Sequence, residues 1–70
     1  MMPLTYAEQG KPQIIKKIGG NPEVRQHLKD LGFNVGSEVN IINSLGDNLI
    51  VKVRESRVAV SDELARRIMV

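Results

Sequence analysis

The strongest constraint on the fold lies between residues 38 and 60, where three short segments alternate apolar and polar side chains. The segments cover residues 38–45, 49–54 and 57–60, and Val, Ile and Leu supply most of their apolar positions. Only two short gaps separate them, Gly-Asp-Asn at 46–48 and Glu-Ser at 55–56. Period-two alternation is typical of strands with one buried face, and gaps this short favour tight antiparallel turns. The sequence therefore predicts a three-stranded antiparallel meander.

A further strand is predicted ahead of the meander, over residues 13–18. Pro12 cannot donate a ladder hydrogen bond, and the glycine pair at 19–20 ends the segment. In a pleated strand Ile14 and Ile18 lie on one side and Ile15 on the other.

One helix is predicted between this strand and the meander, beginning at Pro22. Asn21 is a suitable N-cap, and proline at the first helical position lacks an N–H that the helix would leave unpaired. Val24 and Leu28 lie on one face, and Gly32 follows where a left-handed residue commonly ends a helix. We expect about ten helical residues.

The last ten residues predict a single helical turn capped by Ser61, followed by a short strand over 68–70. Seventy residues without cysteine make one small domain, residues 1–70, that must be held together by packing alone. About five short strands with one inserted helix are too few for two full sheets but enough to close a small barrel. We predict a mainly β fold of the SH3-like barrel type.

Residue types that catalysis needs are scarce in this chain. His27 is the only histidine, no serine lies in a nucleophile motif, and no glycine-rich phosphate loop is present. We therefore expect no enzyme activity and no cofactor. The sequence shows neither a secretory signal nor an apolar run of membrane length, which favours a cytoplasmic protein without membrane insertion.

One stripe of the predicted helix carries Glu23, His27 and Asp30 at the spacing i, i+4, i+7. Their oxygen and nitrogen atoms suit a divalent metal such as iron. Such residues are more typical of a solvated helix face, here with Arg25 and Lys29 as charge partners. A divalent-metal-sensing domain is one alternative function, with these three side chains as its weak candidate ligands.

A basic group, formed by Lys52, Arg54 and Arg57, is predicted on the outward side of the meander, where the arginine pair at 66–67 could approach it. Small barrels bind nucleic acids through such groups, usually together with stacking aromatic rings. The chain has one tyrosine, one phenylalanine and a net charge of only +2. Nucleic-acid binding is therefore a second alternative and an unlikely one.

Three isoleucines, Ile15, Ile42 and Ile50, fall out of phase with the inward residues of their own strands. Exposed together on one face, they would form a docking patch. Covered by the helix or by the N-terminal arm, they would form a second layer of core. The sequence leaves both interpretations open.

The order of these motifs resembles the FeoA domain of bacterial ferrous-iron transport over almost the whole chain. The resemblance is carried by Pro3, Leu4, Ala7 and Gly10, by Ile15, Ile18 and Gly20, by Leu28, Leu31, Gly32, Gly36 and Val39, and by Val58, Ala59, Val60, Glu63, Ala65, Ile68 and Val70. The family is also similar to the barrel domain that ends iron-dependent repressors, but a chain of 70 residues leaves no room for their DNA-reading helix-turn-helix.

The resemblance implies an SH3-like barrel that serves as a small cytoplasmic accessory of the membrane ferrous-iron transporter. The implied partner is the cytoplasmic GTP-binding domain of that transporter. Docking is expected through an exposed barrel face or through the helix, and the expected contacts are Ile42, Ile50 and Arg54. The matching positions are mostly glycine and aliphatic residues, so the resemblance carries over the fold and no metal ligands.

Overall fold

A computed structural model describes residues 1–70 and shows a mainly β chain with two α-helices. The elements in chain order are a 3₁₀ turn (Leu4–Tyr6), β1 (Gln13–Ile14), β2 (Lys17–Ile18), α1 (Pro22–Asp30), β3 (Glu38–Leu45), β4 (Asn48–Val53), β5 (Ser56–Ser61), α2 (Asp62–Ala65) and β6 (Ile68–Met69). A four-stranded sheet has the order β1-β3-β4-β5, and β2 and β6 form a second sheet. All neighbouring strands are antiparallel. The predicted fold class, with one inserted helix and one C-terminal helical turn, is confirmed.

The predicted meander is confirmed as β3, β4 and β5. Gly46 adopts a φ of 59° in the first turn, where a residue without a Cβ is least strained. The register shifts between Ile41 and Asn43, so that Ile42 is an extra residue in β3. A bulge of this kind bends the strand and increases its twist, which helps a small sheet to curl.

Helix α1 starts and stops where the sequence predicts. The Val24 N–H donates to Asn21 Oδ1 at 2.8 Å, which is the expected N-cap. Gly32 has a φ of 106°, and the N–H of the next residue, Phe33, donates to the Leu28 carbonyl at 3.0 Å. This closing bond turns the chain back on the helix and buries the Phe33 ring completely. The second helix is likewise capped, since Leu64 N–H donates to Ser61 Oγ at 3.2 Å.

The single strand predicted over residues 13–18 is wrong. The segment forms two strands of two residues each, and β1 pairs with β3 while β2 pairs with β6. Ile15 N–H donates to the Ser37 carbonyl, and the next N–H, that of Lys16, donates to the Met69 carbonyl. Consecutive residues thus bond to different sheets, which makes this segment a corner between them. The local alternation of side chains could not reveal this corner, because the residues to which it bonds lie more than twenty positions away in the sequence.

The N-terminal arm closes the other side of the barrel. Met2 and Val70 exchange backbone hydrogen bonds, both of 2.8 Å, beside the bridge between Pro3 and Met69. Farther along the arm, Gly10 N–H donates to the Ile41 carbonyl at 2.8 Å. The arm therefore covers the edge of β3 ahead of the point where β1 begins.

The core draws on every element except β1 and β2 and contains no polar residue. Its members are Leu4, Ile15, Leu28, Phe33, Val39, Ile41, Leu49, Val51, Val53, Val60, Ala65, Ile68 and Val70. Neither helix is long and apolar enough to cross a lipid bilayer.

Candidate interaction surface

The meander presents one face to solvent, and the strand register determines which side chains share it. Asn40, Lys52 and Arg57 form one row across β3, β4 and β5. The next row contains Asn43, Ile50 and Ala59. On the central strand β4 these positions alternate with the buried Leu49, Val51 and Val53, so both rows point away from the core. We call these two rows, together with Ile42, the outer sheet face.

The expected partner contacts do not form one cluster. Ile42 is 36% exposed at the bulge, and Ile50 is half-buried opposite Asn43. Arg54 is exposed beyond the end of β4, four residues and so roughly 13 Å from Ile50 along the strand direction. Ile42 and Ile50 therefore lie at one end of the outer sheet face and Arg54 lies past the other.

The docking patch of three isoleucines is wrong for Ile15. Its side chain is only 1% exposed and belongs to the core, because the corner between β1 and β2 reverses the alternation at that point. Gln9 of the N-terminal arm lies over the bulge, where its Nε2 donates to the Ile42 carbonyl at 2.8 Å. The arm thus reaches the backbone beside Ile42 and leaves part of that side chain exposed.

An open depression of about 550 Å³ lies at the Arg54 end of the outer sheet face. Its lining is polar and includes Ser37, Glu38, Asn40, Lys52 and Arg54. Both signs of charge are present, and Lys52 stands directly across the strand pair from Asn40. The lining offers hydrogen-bond donors and acceptors side by side, which suits a peptide backbone better than a single ion.

Asn40 is the distinctive residue of this depression. Its Oδ1 atom is buried without a hydrogen-bond partner, alone among the side chains of the structure. An unpaired buried acceptor is costly. Because Oδ1 is also shielded from solvent, a donor from another molecule would reach it only after the Asn40 amide turns into the depression. Sequence reasoning missed this residue, although asparagine inside a regular strand is itself an unusual choice.

The three candidate metal ligands are not assembled into a site. Glu23, His27 and Asp30 are all exposed, and no group of three or more His, Cys, Asp or Glu side chains is placed to hold an ion. Along the helix axis Glu23 and Asp30 are about 10 Å apart, farther than two ligands of one ion. Asp30 instead accepts a hydrogen bond from Gln26 Nε2 at 2.8 Å.

The basic group on the meander is smaller than the sequence suggested. Lys52 and Arg57 share a row, but Arg66 and Arg67 line other depressions and none with Lys52. Phe33 is fully buried and cannot stack on a base, and Tyr6 is 76% exposed on the N-terminal arm. The stacking platform typical of nucleic-acid-binding barrels is therefore limited to one ring.

Comparison with known proteins points to one family. The sequence model of the FeoA domain matches residues 2–70. A protein of Methanocaldococcus jannaschii named "Putative Fe(2+) transport protein A" is 34% identical over 70 residues, which are all of this chain and 85% of that protein.

Solved structures show the same fold. A crystal structure of an iron uptake regulatory protein, FeoA, superposes with a TM-score of 0.87 at 30% identity, over 96% of this chain and 89% of that one. Zinc-bound FeoA of Stenotrophomonas maltophilia, described as an SH3 domain protein, gives a TM-score of 0.85 at 24% identity, over 99% and 88% of the two chains. The SH3-like fold predicted from the sequence is thereby confirmed, and the chain belongs to the FeoA family.

Proposed function

We propose that this chain is a non-enzymatic accessory protein of ferrous-iron uptake. Support comes from the match to the FeoA domain over residues 2–70 and from the relative named for Fe(2+) transport. The depression at the outer sheet face is open and lined by polar residues, which favours contact with a macromolecule, since small-molecule sites are mostly enclosed and apolar.

The proposed action is docking on the cytoplasmic GTP-binding domain of the ferrous-iron transporter, through the outer sheet face. The observation that carries the proposal is the unpartnered Asn40 Oδ1, which lies beside Lys52 in an open depression. Rotation of the Asn40 amide into the depression would expose Oδ1 and let a backbone N–H of the partner supply the missing donor. Lys52 and Arg54 would donate to carbonyl or carboxylate oxygens of the same segment.

The apolar part of the contact is supplied from the other end of the face. Ile42 is exposed although it lies in a strand, and the half-buried Ile50 stands one position away in the register. Interfaces commonly combine such an apolar anchor with a polar rim, and a few central residues carry most of the binding energy. Docking at this face would hold the chain on the cytoplasmic side of the membrane.

Calorimetric titration of the purified GTP-binding domain with this protein tests the proposal. We expect Ile42→Asp and Lys52→Glu each to weaken binding about tenfold, as loss of an interface anchor or reversal of a contacting charge does. The matched control for Ile42→Asp is Tyr6→Asp, which adds the same single negative charge to an exposed side chain of the N-terminal arm.

Equal affinity of all three variants and the wild type would show that docking uses another face. Absence of binding by the wild-type protein at micromolar concentration would contradict docking itself. Circular dichroism of each variant separates loss of contact from loss of fold.

A further inference from the structure

The basic residues of this protein are spread evenly along the sequence but not over the surface. Each half of the chain carries five lysines and arginines, and the net charge is only +2. In the folded chain, four of the ten cations line one groove of about 400 Å³ between the β1–β2 corner and α1. They are Lys16, Lys17, Arg25 and Lys29, and we call this depression the basic groove.

No carboxylate lines the basic groove. The depression on the outer sheet face includes Glu38, and a third depression contains Asp47, Asp62 and Glu63 beside its arginines. An adjoining depression of about 230 Å³ shares Lys17 with the basic groove and also lacks acidic residues. The adjoining depression also contains the arginines at 66 and 67. These two side chains border the third depression with its three carboxylates as well, so they are not counted with the four cations.

The four cations also lack partners within the protein. The side-chain hydrogen bonds of the structure involve none of them, and the one carboxylate that accepts such a bond, that of Asp30, receives it from Gln26. All four are exposed, and Arg25 and Lys29 lie one helical turn apart on the same face of α1. Like charges held together without counter-charges repel one another, so their grouping does not serve stability.

The basic groove has an apolar component as well. It is supplied by the half-buried Ile18 and by Val35, which is 65% exposed, whereas the fully buried Phe33 lies beneath the surface. An occupant that matched this surface would carry several negative charges and at least one apolar side chain.

We propose that the basic groove binds an acidic polypeptide segment that bears an apolar residue. Its carboxylates would pair with Lys16, Lys17, Arg25 and Lys29, and its apolar side chain would cover Val35. A chain segment can place carboxylates against both walls of the basic groove, the β1–β2 corner and α1, whereas a lipid surface contacts mainly the groups that protrude farthest. The buried ring of Phe33 offers no stacking surface for a base, which disfavours nucleic acid.

This inference does not depend on docking at the outer sheet face, because the two depressions share no lining residue. The two proposals can therefore fail separately. A single partner could bind at both places if it had a surface that fits the outer sheet face and a separate acidic segment that fits the basic groove.

The probe is a synthetic octapeptide of six glutamates with two central leucines, added to the isotope-labelled full-length protein and followed by NMR. Extended, it spans about 26 Å, comparable with the 23–28 Å dimensions of the molecule. We expect amide shifts confined to residues 16–18, 25–29 and 33–35. The same peptide with glutamine for glutamate should bind at least tenfold more weakly, as expected when the ion pairs are lost.

Two matched double variants locate the binding. Lys16→Glu with Arg25→Glu reverses two charges of the basic groove, and Lys52→Glu with Arg57→Glu reverses two on the outer sheet face. Both change the net charge from +2 to −2. We expect roughly tenfold weaker binding for the first pair and less than threefold for the second, since only contacting charges contribute strongly.

Equal weakening by the two pairs would overturn the proposal, because it would show attraction to net charge alone. Equal binding of the glutamine peptide would overturn it too. Vesicles of phosphatidylserine and a short DNA duplex are tested on the same sample at equal salt. If either shifts the amides of the basic groove at lower concentration than the acidic peptide does, the assigned occupant is wrong.

Discussion

Two asparagines of β3 face outward with opposite hydrogen-bonding states, and this contrast makes a sharp prediction. Asn40 Oδ1 is buried and unpartnered, whereas Asn43 Oδ1 accepts from Ser44 N–H at 2.8 Å and from Gln9 Nε2 at 3.3 Å. We expect Asn40→Val to stabilise the protein and to weaken docking. We expect Asn43→Val to destabilise it.

The magnitudes follow from the two environments. An unsatisfied buried acceptor costs about 1–3 kcal/mol, and the half-buried position of Asn40 places it near the lower limit, about 1 kcal/mol. Asn43→Val loses two exposed hydrogen bonds, together about 1 kcal/mol. Both replacements gain the same strand preference of valine, so the difference of about 2 kcal/mol between the variants isolates the amide groups.

Thermal unfolding followed by circular dichroism measures this difference. In a domain of this size 1 kcal/mol corresponds to about 4–8 °C, so the Tm of Asn40→Val should exceed that of Asn43→Val by about 8–16 °C. The reasoning is refuted if the Tm of Asn40→Val falls as far as that of Asn43→Val. Such a fall would mean that the Asn40 amide stabilises the free protein and is not reserved for a partner.

Three further predictions test the fold and the helix. Gly32→Ala should lower the free energy of unfolding by about 1–2 kcal/mol in urea, because its φ of 106° strains any residue with a Cβ; an unchanged value would contradict the cap described for α1. Ile15→Ala should cost about 2–5 kcal/mol as a core cavity, whereas Ile42→Ala should cost less than about 1 kcal/mol; similar costs would place both residues in the same environment. Ferrous ion added under anaerobic conditions should have the same effect on the amide resonances of residues 23–31 in the wild type and in His27→Ala, because these residues form no metal site. Shifts that occur in the wild type and are lost in His27→Ala would support the metal-sensing alternative.

Where the sequence predicted structure correctly, the signals were local. The limits of β3 and the cap at Asn21 follow from alternation, turn residues and helix-start chemistry within a few positions. The same local logic failed for residues 13–18. There the predicted strand is divided because Ile15 and Lys16 bond to Ser37 beside β3 and to Met69 in β6, and these two strands belong to different sheets. No residue near positions 13–18 indicates these distant partners.

The surface was harder to predict than the core, for a similar reason. The sequence left open whether Ile15 and Ile42 are exposed or buried, and the structure divides them, with Ile42 exposed at the bulge and Ile15 buried at the corner. Whether Asn40 Oδ1 has a hydrogen-bond partner depends on its neighbours across the sheet. The basic groove exists because α1 packs beside the corner between β1 and β2. Both features arise from tertiary contacts between segments that are distant in the chain.

The measurement that tests the central claim most directly is an NMR titration of the labelled protein with the cytoplasmic GTP-binding domain of the ferrous-iron transporter. Docking through the outer sheet face predicts amide shifts at Asn40, Ile42, Ile50 and Lys52, with the largest change at the Asn40 side-chain amide. A spectrum that does not change, or that changes only outside the outer sheet face, would contradict the account.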